Sequence, residues 1–265
     1  MRISVLMGIY NCADTLPAAI DCILRQTYTD WELILCDDGS WDSTFAVAER
    51  YRQQYPQKIR LLKNEKNMGL NHTLNRCLAV ATGEFVARMD GDDLCMPDRF
   101  EKEVRALEEN PTMAVVSTAM EYFDENGTWG TCKVIRQPQP RDLLWGTPFC
   151  HAPCMARRAA FQAVGGYTDD KKYLRVEDYD LWVKLYAAGF RGINLEEPLY
   201  RMRDDRNAAA RRKFKYRINE ARVKHKAVRL LKLPVWCHVH ALRPIIVGLL
   251  PEKVYTRLHK KRMGS

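Results

Sequence analysis

The segment Phe85-Val-Ala-Arg-Met-Asp-Gly-Asp-Asp93 joins a short apolar run to three carboxylates within four residues. An apolar run of this length that stops at Asp-Gly predicts a buried strand followed by a turn. Carboxylates this close repel one another unless a cation or a proton neutralises them. The segment therefore predicts a strand that delivers charge to the edge of a sheet.

Three comparable runs precede this segment, and helical patterns separate all four. The predicted strands cover residues 4–9, 32–37, 59–63 and 85–89. Strands that alternate with amphipathic helices are typical of a sheet covered on both sides. We therefore predict an α/β fold, Rossmann-like, with a mostly parallel central sheet and helices on both faces.

Polar residues follow each predicted strand, and they are Tyr10-Asn11, Asp37-Asp38-Gly39-Ser40, Lys63-Asn64 and Asp90-Gly91-Asp92-Asp93. In open α/β sheets the ligand crevice lies at the carboxyl ends of the strands. The four loops are therefore expected to meet at one site.

The rest of the chain predicts fewer strands and more helix. The predicted elements are a helix from Pro97 to about Glu109, a strand over 114–118, a hairpin at 124–127, a strand over 153–156, a helix from Glu177 that Gly189 closes, and a basic helix over 207–231 that Pro234 ends, with two short amphipathic pieces after it.

Charge is unevenly distributed along the 265 residues. From Tyr200 to the end there are 19 Lys and Arg against 4 Asp and Glu, whereas the preceding part holds 23 basic and 29 acidic residues. An acidic body with a basic tail is expected to attract polyanions through the tail. The 46% hydrophobic composition excludes wholesale disorder.

Compartment and membrane topology are predicted from cysteines and apolar runs. Nine cysteines, an odd number without a spaced framework, favour a reducing cytosol. No signal peptide is expected before the first strand, and the longest apolar stretch, residues 244–250, is far below the roughly 20 residues that span a bilayer. We expect a cytoplasmic protein that does not cross the membrane by itself.

Three acidic clusters are candidates for chemistry, each with a plainer alternative. Asp90, Asp92 and Asp93 could hold Mg²⁺ or Mn²⁺, or form a solvated turn. Asp37 and Asp38 could accept hydrogen bonds from a nucleobase or ribose, or cap a helix.

The third cluster, Glu177-Asp178-Tyr179-Asp180, could supply a general base or simply compensate a helix dipole. His151, with Cys150 and Cys154 nearby, could belong to a zinc site, but a second pair of ligands is missing. A polar side chain that lines the site is the favoured role for His151. Glycine-rich dinucleotide and P-loop motifs are absent.

Taken in order, six motifs resemble those of the family 2 glycosyltransferases, an inverting group with the GT-A fold. The motifs are Ile3 to Asn11, Asp37-Asp-Gly-Ser40, Asn67-Met-Gly-Leu70, Met89 to Asp93 with Pro97-Asp-Arg99, Gly165-Gly-Tyr167 and Glu177 to Trp182. The resemblance covers residues 3 to about 203. It implies a nucleotide-sugar donor, most often a UDP-sugar, and a metal ion that bridges its phosphates.

The resemblance also implies roles for individual residues. Asp178 becomes the catalytic base, and Asp92 with Asp90 becomes the metal site. The residues implied for donor binding are Tyr10, Asn11, Asp37, Asp38, Asn67, Gly69, Asp90 and Arg203, with Arg99 as support behind them. Those implied for the acceptor side are His151, Gly165, Gly166, Tyr167 and Glu177.

Two departures from the family pattern refine the expectation. The Gln-x-x-Arg-Trp motif and the transmembrane helices of the processive members are absent, which favours transfer of a single sugar. Where many members carry a histidine, this chain reads Met202-Arg203-Asp204. Arg203 is the candidate cation for the leaving diphosphate.

We predict a glycosyltransferase domain over residues 1–203, with a nucleotide-binding half over 1–110 and an acceptor half over 111–203, and a basic tail over 204–265. Aliphatic side chains and tryptophan interleaved with Lys and Arg favour attachment of the tail to an anionic membrane, at the cytoplasmic face. A second subunit, in a homo-oligomer, is the alternative partner.

A lipid-linked glycan of capsule or exopolysaccharide synthesis would be a fitting acceptor for such an enzyme. Nucleic acid is not expected as a partner, because stacking aromatics and a reading helix are missing. The rival interpretations are a metal-dependent nucleotidyltransferase and a non-enzymatic module that binds polyanions.

Overall fold

The computed structural model describes residues 1–204 and 213–249. Its strands and α-helices, in chain order, are β1 (Ile3–Ile9), α1 (Leu16–Leu24), β2 (Trp31–Asp37), α2 (Thr44–Gln54), β3 (Ile59–Lys63), α3 (Leu70–Val80), β4 (Phe85–Arg88), β5 (Leu94–Cys95), α4 (Arg99–Glu109), β6 (Val115–Asp124), β7 (Gly127–Thr131), β8 (Met155–Arg157), α5 (Arg158–Ala163), α6 (Glu177–Ala187), β9 (Gly192–Arg203), α7 (Phe214–Leu230) and α8 (Leu242–Leu249). Short 3₁₀ helices cover Pro140–Leu144, Lys171–Tyr173 and Val235–Ala241.

One sheet contains all the described strands, in the order β3-β2-β1-β4-β8-β6-β9-β5, with β7 paired to β6. The four strands β3, β2, β1 and β4 are parallel neighbours, and β6 runs parallel to β9. Ile9 pairs with Asp37, and Asp37 pairs with Lys63, so these three strands end at one level. The predicted α/β fold with a mostly parallel central sheet is confirmed.

Two apolar layers cover the sheet, as the alternation of side chains along β1 requires. Ile3, Val5 and Met7 belong to the layer formed with α1, α2 and α4, whereas Leu6 belongs to the layer formed with α3, α5, α6 and α7. Helices therefore lie on both faces, and the polar ends of the strands are left as the open edge.

The first four strands match the prediction to within one residue at each end. The strand predicted over 114–118 is longer, because β6 continues to Asp124 and turns into β7 at the predicted hairpin. The twelve residues of β9 were not predicted. Glu196, Glu197 and Pro198 interrupt its alternation, and the register with β6 shifts at this point.

The basic helix α7 packs onto the body of the protein. Its residues Val223 and Ala227 are buried in the second apolar layer. Asp180 of α6 is fully buried and accepts hydrogen bonds from Lys226 Nζ at 2.6 Å and Thr168 Oγ1 at 2.6 Å. The predicted residues 207–212 of this helix lie outside the described residues. Over residues 1–204 and 213–249, no helix combines the length and apolarity needed to cross a bilayer.

A buried ion pair lies beneath the end of β4. Arg99 Nε is 3.2 Å from Glu103 Oε1, and neither side chain reaches solvent. Arg99 Nη2 also donates to the carbonyl oxygen of Arg88 at 3.0 Å. Arg99 thus ties α4 to the strand that leads into Asp90.

Replacing Arg99 by leucine is expected to lower the free energy of unfolding by about 3–5 kcal/mol, because Glu103 is left as an unpaired buried charge. The double variant Arg99→Met/Glu103→Leu should recover most of this loss. Urea unfolding followed by circular dichroism measures both values.

Arg105→Leu provides the matched control on the same helix. Arg105 and Glu109 form an i, i+4 pair that is exposed, so its loss should cost less than about 1 kcal/mol. Equal effects of Arg99→Leu and Arg105→Leu would contradict the burial argument.

Candidate active site

A cavity of about 830 Å³ opens at the carboxyl ends of β1 and β4. Its walls come from the loop after β1, the loop after β4, the segment that leads into α6, and the end of β9. Parts of the chain that are more than 80 residues apart therefore meet here, at the edge of the sheet where ligands bind in open α/β folds.

Eight of the residues predicted for the site line this cavity, namely Tyr10, Asn11, Asp90, Asp92, His151, Glu177, Asp178 and Arg203. The other eight predicted residues do not line it, and they are Asp37, Asp38, Asn67, Gly69, Arg99, Gly165, Gly166 and Tyr167. Among the predicted acidic residues, Glu177 and Asp178 thus line the cavity, whereas Asp37 and Asp38 do not.

The loop after β1 is fixed to the loop after β2. Asn11 adopts a left-handed backbone conformation with φ of 48°, which asparagine tolerates better than most residues. Its backbone N–H donates to Ser40 Oγ at 3.1 Å, and its side-chain oxygen accepts from the N–H of Trp41 at 3.1 Å. Tyr10, beside it, is exposed and lines the cavity.

Asp38 is buried, and both oxygens of its carboxylate accept hydrogen bonds from its own chain. The donors are Asn64 Nδ2 at 2.7 Å, the N–H of Met68 at 2.8 Å and the N–H of Gly69 at 2.9 Å. Asp38 therefore holds the loop that starts α3, which includes the predicted Asn67 and Gly69. Asp37 is also buried and accepts from the N–H of Ser40 at 3.2 Å.

Gly39 allows this loop to form. Its φ is 72°, and a Cβ atom there would lie 2.6 Å from the backbone carbon of Lys66. Only glycine combines this conformation with so close an approach of two backbones. The Asp37-Asp38-Gly39-Ser40 motif is thus explained by the local structure around the start of α3.

The loop after β4 places Asp90 and Asp92 in the cavity, with Asp93 beneath them. Asp90 Oδ1 is 2.6 Å from Nη2 of the buried Arg88. Gly91 lies between them and packs closely against the loop after β1. A Cβ atom at this position would lie only 2.9 Å from the Cys12 sulfur. Asp93 accepts hydrogen bonds from Tyr200 Oη at 2.8 Å and from the N–H of Arg203 at 2.7 Å, so it joins β9 to this loop.

Burial and neighbouring carboxylates raise the pKa values of two acidic residues in this loop. Burial, together with Asp90 and Asp92, raises the pKa of Asp93 to about 8. The side chain of Asp92 reaches solvent, but the surrounding protein atoms and the neighbouring Asp90 still raise its pKa. These shifts mean that ionising the loop is costly, so a cation that enters it would favour the ionised carboxylates.

Asp178 faces the same cavity from the start of α6. Burial, with Glu177 beside it, raises the pKa of its carboxyl to about 7. His151 contacts Tyr167 Oη at 2.8 Å through Nε2, and burial together with Arg88 holds its pKa well below the usual value. The site therefore contains a carboxyl that can exchange a proton near neutral pH, beside a neutral imidazole.

The remaining predicted residues support the cavity from outside. Arg99 lies behind β4, as described above. Gly165 and Gly166 form a left-handed turn after α5, with φ of 72° and 63°. The N–H of Tyr167 donates to Asn75 Oδ1 at 2.8 Å. Tyr167 thereby joins α3 to the cavity wall through its contact with His151.

Two arginines of the cavity, Arg88 and Arg175, are not among the predicted site residues. Arg88 carries a charge into a strand that is otherwise apolar, and this break in the Phe85–Arg88 pattern is the signal that could have revealed it. Its Nε is buried without a hydrogen-bond partner in the described part of the chain. Arg175 precedes Glu177 in an irregular segment, where no periodic pattern marks it.

The donor set suits a hard divalent cation bound in part by a substrate. Among the described residues, no three His, Cys, Asp or Glu side chains converge into a complete metal site. Mg²⁺ and Mn²⁺ do not require one, because one or two carboxylates together with water and phosphate oxygens satisfy them. Asp90, which is paired with Arg88, and Asp92, which is exposed, line the same open cavity and fit this mode of binding.

Comparison with known proteins places the chain among enzymes of one kind. The model of the family described as Glycosyl transferase family 2 matches residues 4–165. EpsE of Bacillus subtilis strain 168, provisionally named a glycosyltransferase, is 44% identical over 99% of this chain and 94% of its own length. The amylovoran biosynthesis glycosyltransferase AmsE of Erwinia amylovora is 33% identical over 76% of this chain and 75% of its own.

A third relative is named for its substrates. The UDP-Gal:α-D-GlcNAc-diphosphoundecaprenol β-1,3-galactosyltransferase of Escherichia coli is 30% identical over 98% of this chain and 96% of its own length.

Solved structures share the fold at lower identity. S. aureus TarS 1–349 in complex with UDP-GlcNAc superposes with a TM-score of 0.70, at 17% identity, over all of this chain and 76% of TarS. The mannosyltransferase PcManGT of Pyrobaculum calidifontis, in complex with GDP-Man and Mn²⁺, gives a TM-score of 0.65 at 22% identity, over 98% of this chain and 79% of its own. These likenesses confirm the predicted GT-A-like fold.

Asp38→Ala is expected to lower the free energy of unfolding by about 2–4 kcal/mol, because three donors lose their acceptor in a buried loop. Asp14→Ala is the control, since Asp14 lines the cavity, is exposed, and should change stability by less than about 0.5 kcal/mol. Urea unfolding measures both. Unchanged stability of Asp38→Ala with a large loss of UDP affinity would instead assign its carboxylate to the nucleobase.

Proposed function

This chain belongs to glycosyl transferase family 2, and from that premise we propose that it transfers one sugar from a UDP-sugar to an acceptor hydroxyl, with a divalent metal and with inversion at the anomeric carbon. It is an enzyme of the transferase class. The metal-assisted, inverting transfer is supported by one observation, that Asp90, Asp92 and Asp178 line the same cavity.

The donor diphosphate belongs at Asp90 and Asp92. These two carboxylates would hold Mg²⁺ or Mn²⁺, and the ion would neutralise charge on the departing diphosphate. Arg203, whose Nε donates to the carbonyl oxygen of Asp92 at 3.2 Å, adds positive charge on the same side. The Mn²⁺ in PcManGT and the UDP-sugars named for two of the similar proteins support this assignment.

The nucleoside fits beside the loop after β1. Tyr10 offers a ring for the base, and Asn11 is fixed in the same wall. Asp37 and Asp38 act here through the backbone that they hold in place, together with Asn67 and Gly69. The nucleotide-binding half would thus correspond to residues 1–110, as the sequence predicts.

Asp178 is the proposed general base. Its carboxylate takes the proton from the acceptor hydroxyl while the oxygen forms a bond to the anomeric carbon and the bond to the diphosphate breaks. Attack from the face opposite the diphosphate inverts the configuration. A pKa raised to about 7 suits this role, since a base works best when its pKa lies near the operating pH.

The acceptor is proposed to be a lipid-linked glycan of polysaccharide biosynthesis. The Escherichia coli relative is named for an acceptor on diphosphoundecaprenol, and AmsE for biosynthesis of amylovoran. His151 and Glu177 line the cavity on the Asp178 side, where such an acceptor would enter. Tyr167, with Gly165 and Gly166 before it, supports that wall.

The C-terminal region is proposed to bind the anionic cytoplasmic face of the membrane. In α8, Leu242, Ile246 and Leu249 are spaced by four and three residues, so they share a face, and they are 53%, 59% and 71% exposed. Residues 213–249 carry nine Lys and Arg against one Glu. Exposed aliphatic side chains within a basic region are typical of a helix that lies at a lipid interface.

Asp178→Asn is expected to lower turnover by about 10²- to 10⁴-fold, because the acceptor hydroxyl loses its proton acceptor. UDP affinity should be nearly unchanged, since the donor-binding groups remain. UDP release from a panel of UDP-sugars with Mn²⁺ and a lipid-diphosphate acceptor measures turnover, with Asp14→Asn as the control. Comparable turnover in the variant and the parent would remove Asp178 from this role.

Ile246→Ser is expected to weaken sedimentation with phosphatidylglycerol vesicles severalfold at low salt, because it removes an aliphatic side chain from the lipid-facing surface. Ile135→Ser, at a similarly exposed isoleucine of the body, should have no effect. Binding should also fall as salt rises. Equal vesicle binding by both variants would contradict the membrane proposal. A protein that forms an oligomer and does not bind vesicles would also contradict it.

A further inference from the structure

Arg175 is a charged cavity residue that the proposed mechanism does not use. It lies in the segment between the 3₁₀ helix Lys171–Tyr173 and α6, three residues before Asp178, and it lines the cavity. Its side chain is exposed, and it has no hydrogen bond or ion pair within the described residues. A guanidinium in this state is free to bind an incoming anion.

The other two arginines of the cavity are engaged with the loop after β4. Arg88 is paired with Asp90, and Arg203 Nε donates to the carbonyl oxygen of Asp92, while the backbone N–H of Arg203 donates to Asp93. Both guanidinium groups therefore lie at the proposed site of the donor diphosphate. Arg175 belongs to the segment that carries the proposed base, and therefore to the side of the cavity where the acceptor must lie.

The basic helix α7 holds the backbone around Arg175 in place. Asn219 Nδ2 donates to the carbonyl oxygen of Leu174 at 3.0 Å, and Arg222 Nη1 donates to that of Lys172 at 3.1 Å. The same helix packs against α8, which carries the proposed membrane-facing side chains. Arg175 is thus presented by the element that links the cavity to the lipid surface.

The backbone of Arg175 is in the left-handed region, with φ of 67°. It follows Leu174, the C-cap residue of the 3₁₀ helix, at a position where glycine is usual because other residues are strained there. Lys232 shows that this chain accepts the same conformation at the end of α7, so the strain alone identifies no function. It does provide a test, because glycine can replace Arg175 without disturbing the fold.

We propose that Arg175 binds an acidic group of the acceptor, the phosphate of its diphosphate link to lipid, and so selects lipid-linked acceptors over free glycans. This inference rests on the proposed function. It assigns Arg175 a role in specificity, separate from Arg88, which pairs with Asp90, from Arg203 on the donor side, and from the base Asp178.

Two synthetic acceptors test the proposal, GlcNAc α-diphosphoryl undecane and the undecyl glycoside of GlcNAc without the diphosphate, with the UDP-sugar that the parent enzyme uses. Arg175→Gln and Arg175→Gly should raise KM for the diphosphate acceptor by about 10- to 100-fold, as expected for loss of a charged hydrogen bond. Arg175→Lys should lose less, because it keeps the charge but not the planar fork.

The controls separate this role from folding and from donor binding. KM for the donor, UDP affinity by calorimetry, and KM for the glycoside should stay within twofold in every variant. Lys171→Gln, at an exposed cation of the same segment outside the cavity, should change none of these values. Arg175→Gly should unfold at the same or a higher temperature than the parent, because glycine relieves the left-handed backbone.

Failure of the Arg175 role and failure of the proposed sugar transfer give different results. Equal losses on both acceptors, a rise in donor KM, or unchanged kinetics in an active protein would overturn the role of Arg175 and leave the sugar transfer intact. A parent enzyme that transfers sugar to the glycoside but not to the diphosphate acceptor would also overturn it. A parent enzyme that releases no UDP from any donor would overturn the proposed function and this inference together.

Discussion

Repulsion among carboxylates held in one cavity is the constraint on which the site depends. Asp90, Asp92, Asp93 and Asp178 are brought together by strand and helix ends that the sheet fixes, so they cannot move apart. The guanidinium of Arg88 relieves part of this repulsion at Asp90. Burial, together with Asp90 and Asp92, raises the pKa of Asp93, and burial, together with Glu177, raises the pKa of Asp178. In the function that we propose, Asp90 and Asp92 would hold a divalent cation that in turn binds the donor diphosphate, and Asp178 would take the proton of the acceptor hydroxyl.

Buried polar contacts keep this arrangement in register. Arg99 links α4 to β4, the strand before Asp90. Asp93 links the loop after β4 to the end of β9. Asp180, buried in α6, binds Lys226 of α7. This contact joins the basic helix to the element that carries Asp178.

Much of the fold could be predicted because its first half has clear periodicity. Four apolar strands, each followed by polar residues, specify the parallel part of the sheet and the level at which its loops meet. The twelve-residue strand β9 could not be predicted, since Pro198 and two glutamates break its alternation and its partner β6 is distant in sequence. The acidic motifs indicated the site, but only the structure distinguished Asp92, which faces the cavity, from Asp38, which holds a loop. Arg175 carried no signal in the sequence, because an irregular segment has no pattern from which one charge stands out.

We propose that Asp92 helps to hold a divalent cation against the donor diphosphate. This role can be measured by calorimetric titration of UDP, with and without Mn²⁺, into the parent, into Asp92→Ala and into Asp14→Ala, a neighbouring acidic control. Mn²⁺ should strengthen UDP binding in the parent and in Asp14→Ala, and this gain should disappear in Asp92→Ala. If Asp92→Ala keeps the Mn²⁺-dependent affinity of the parent, Asp92 does not bind the cation.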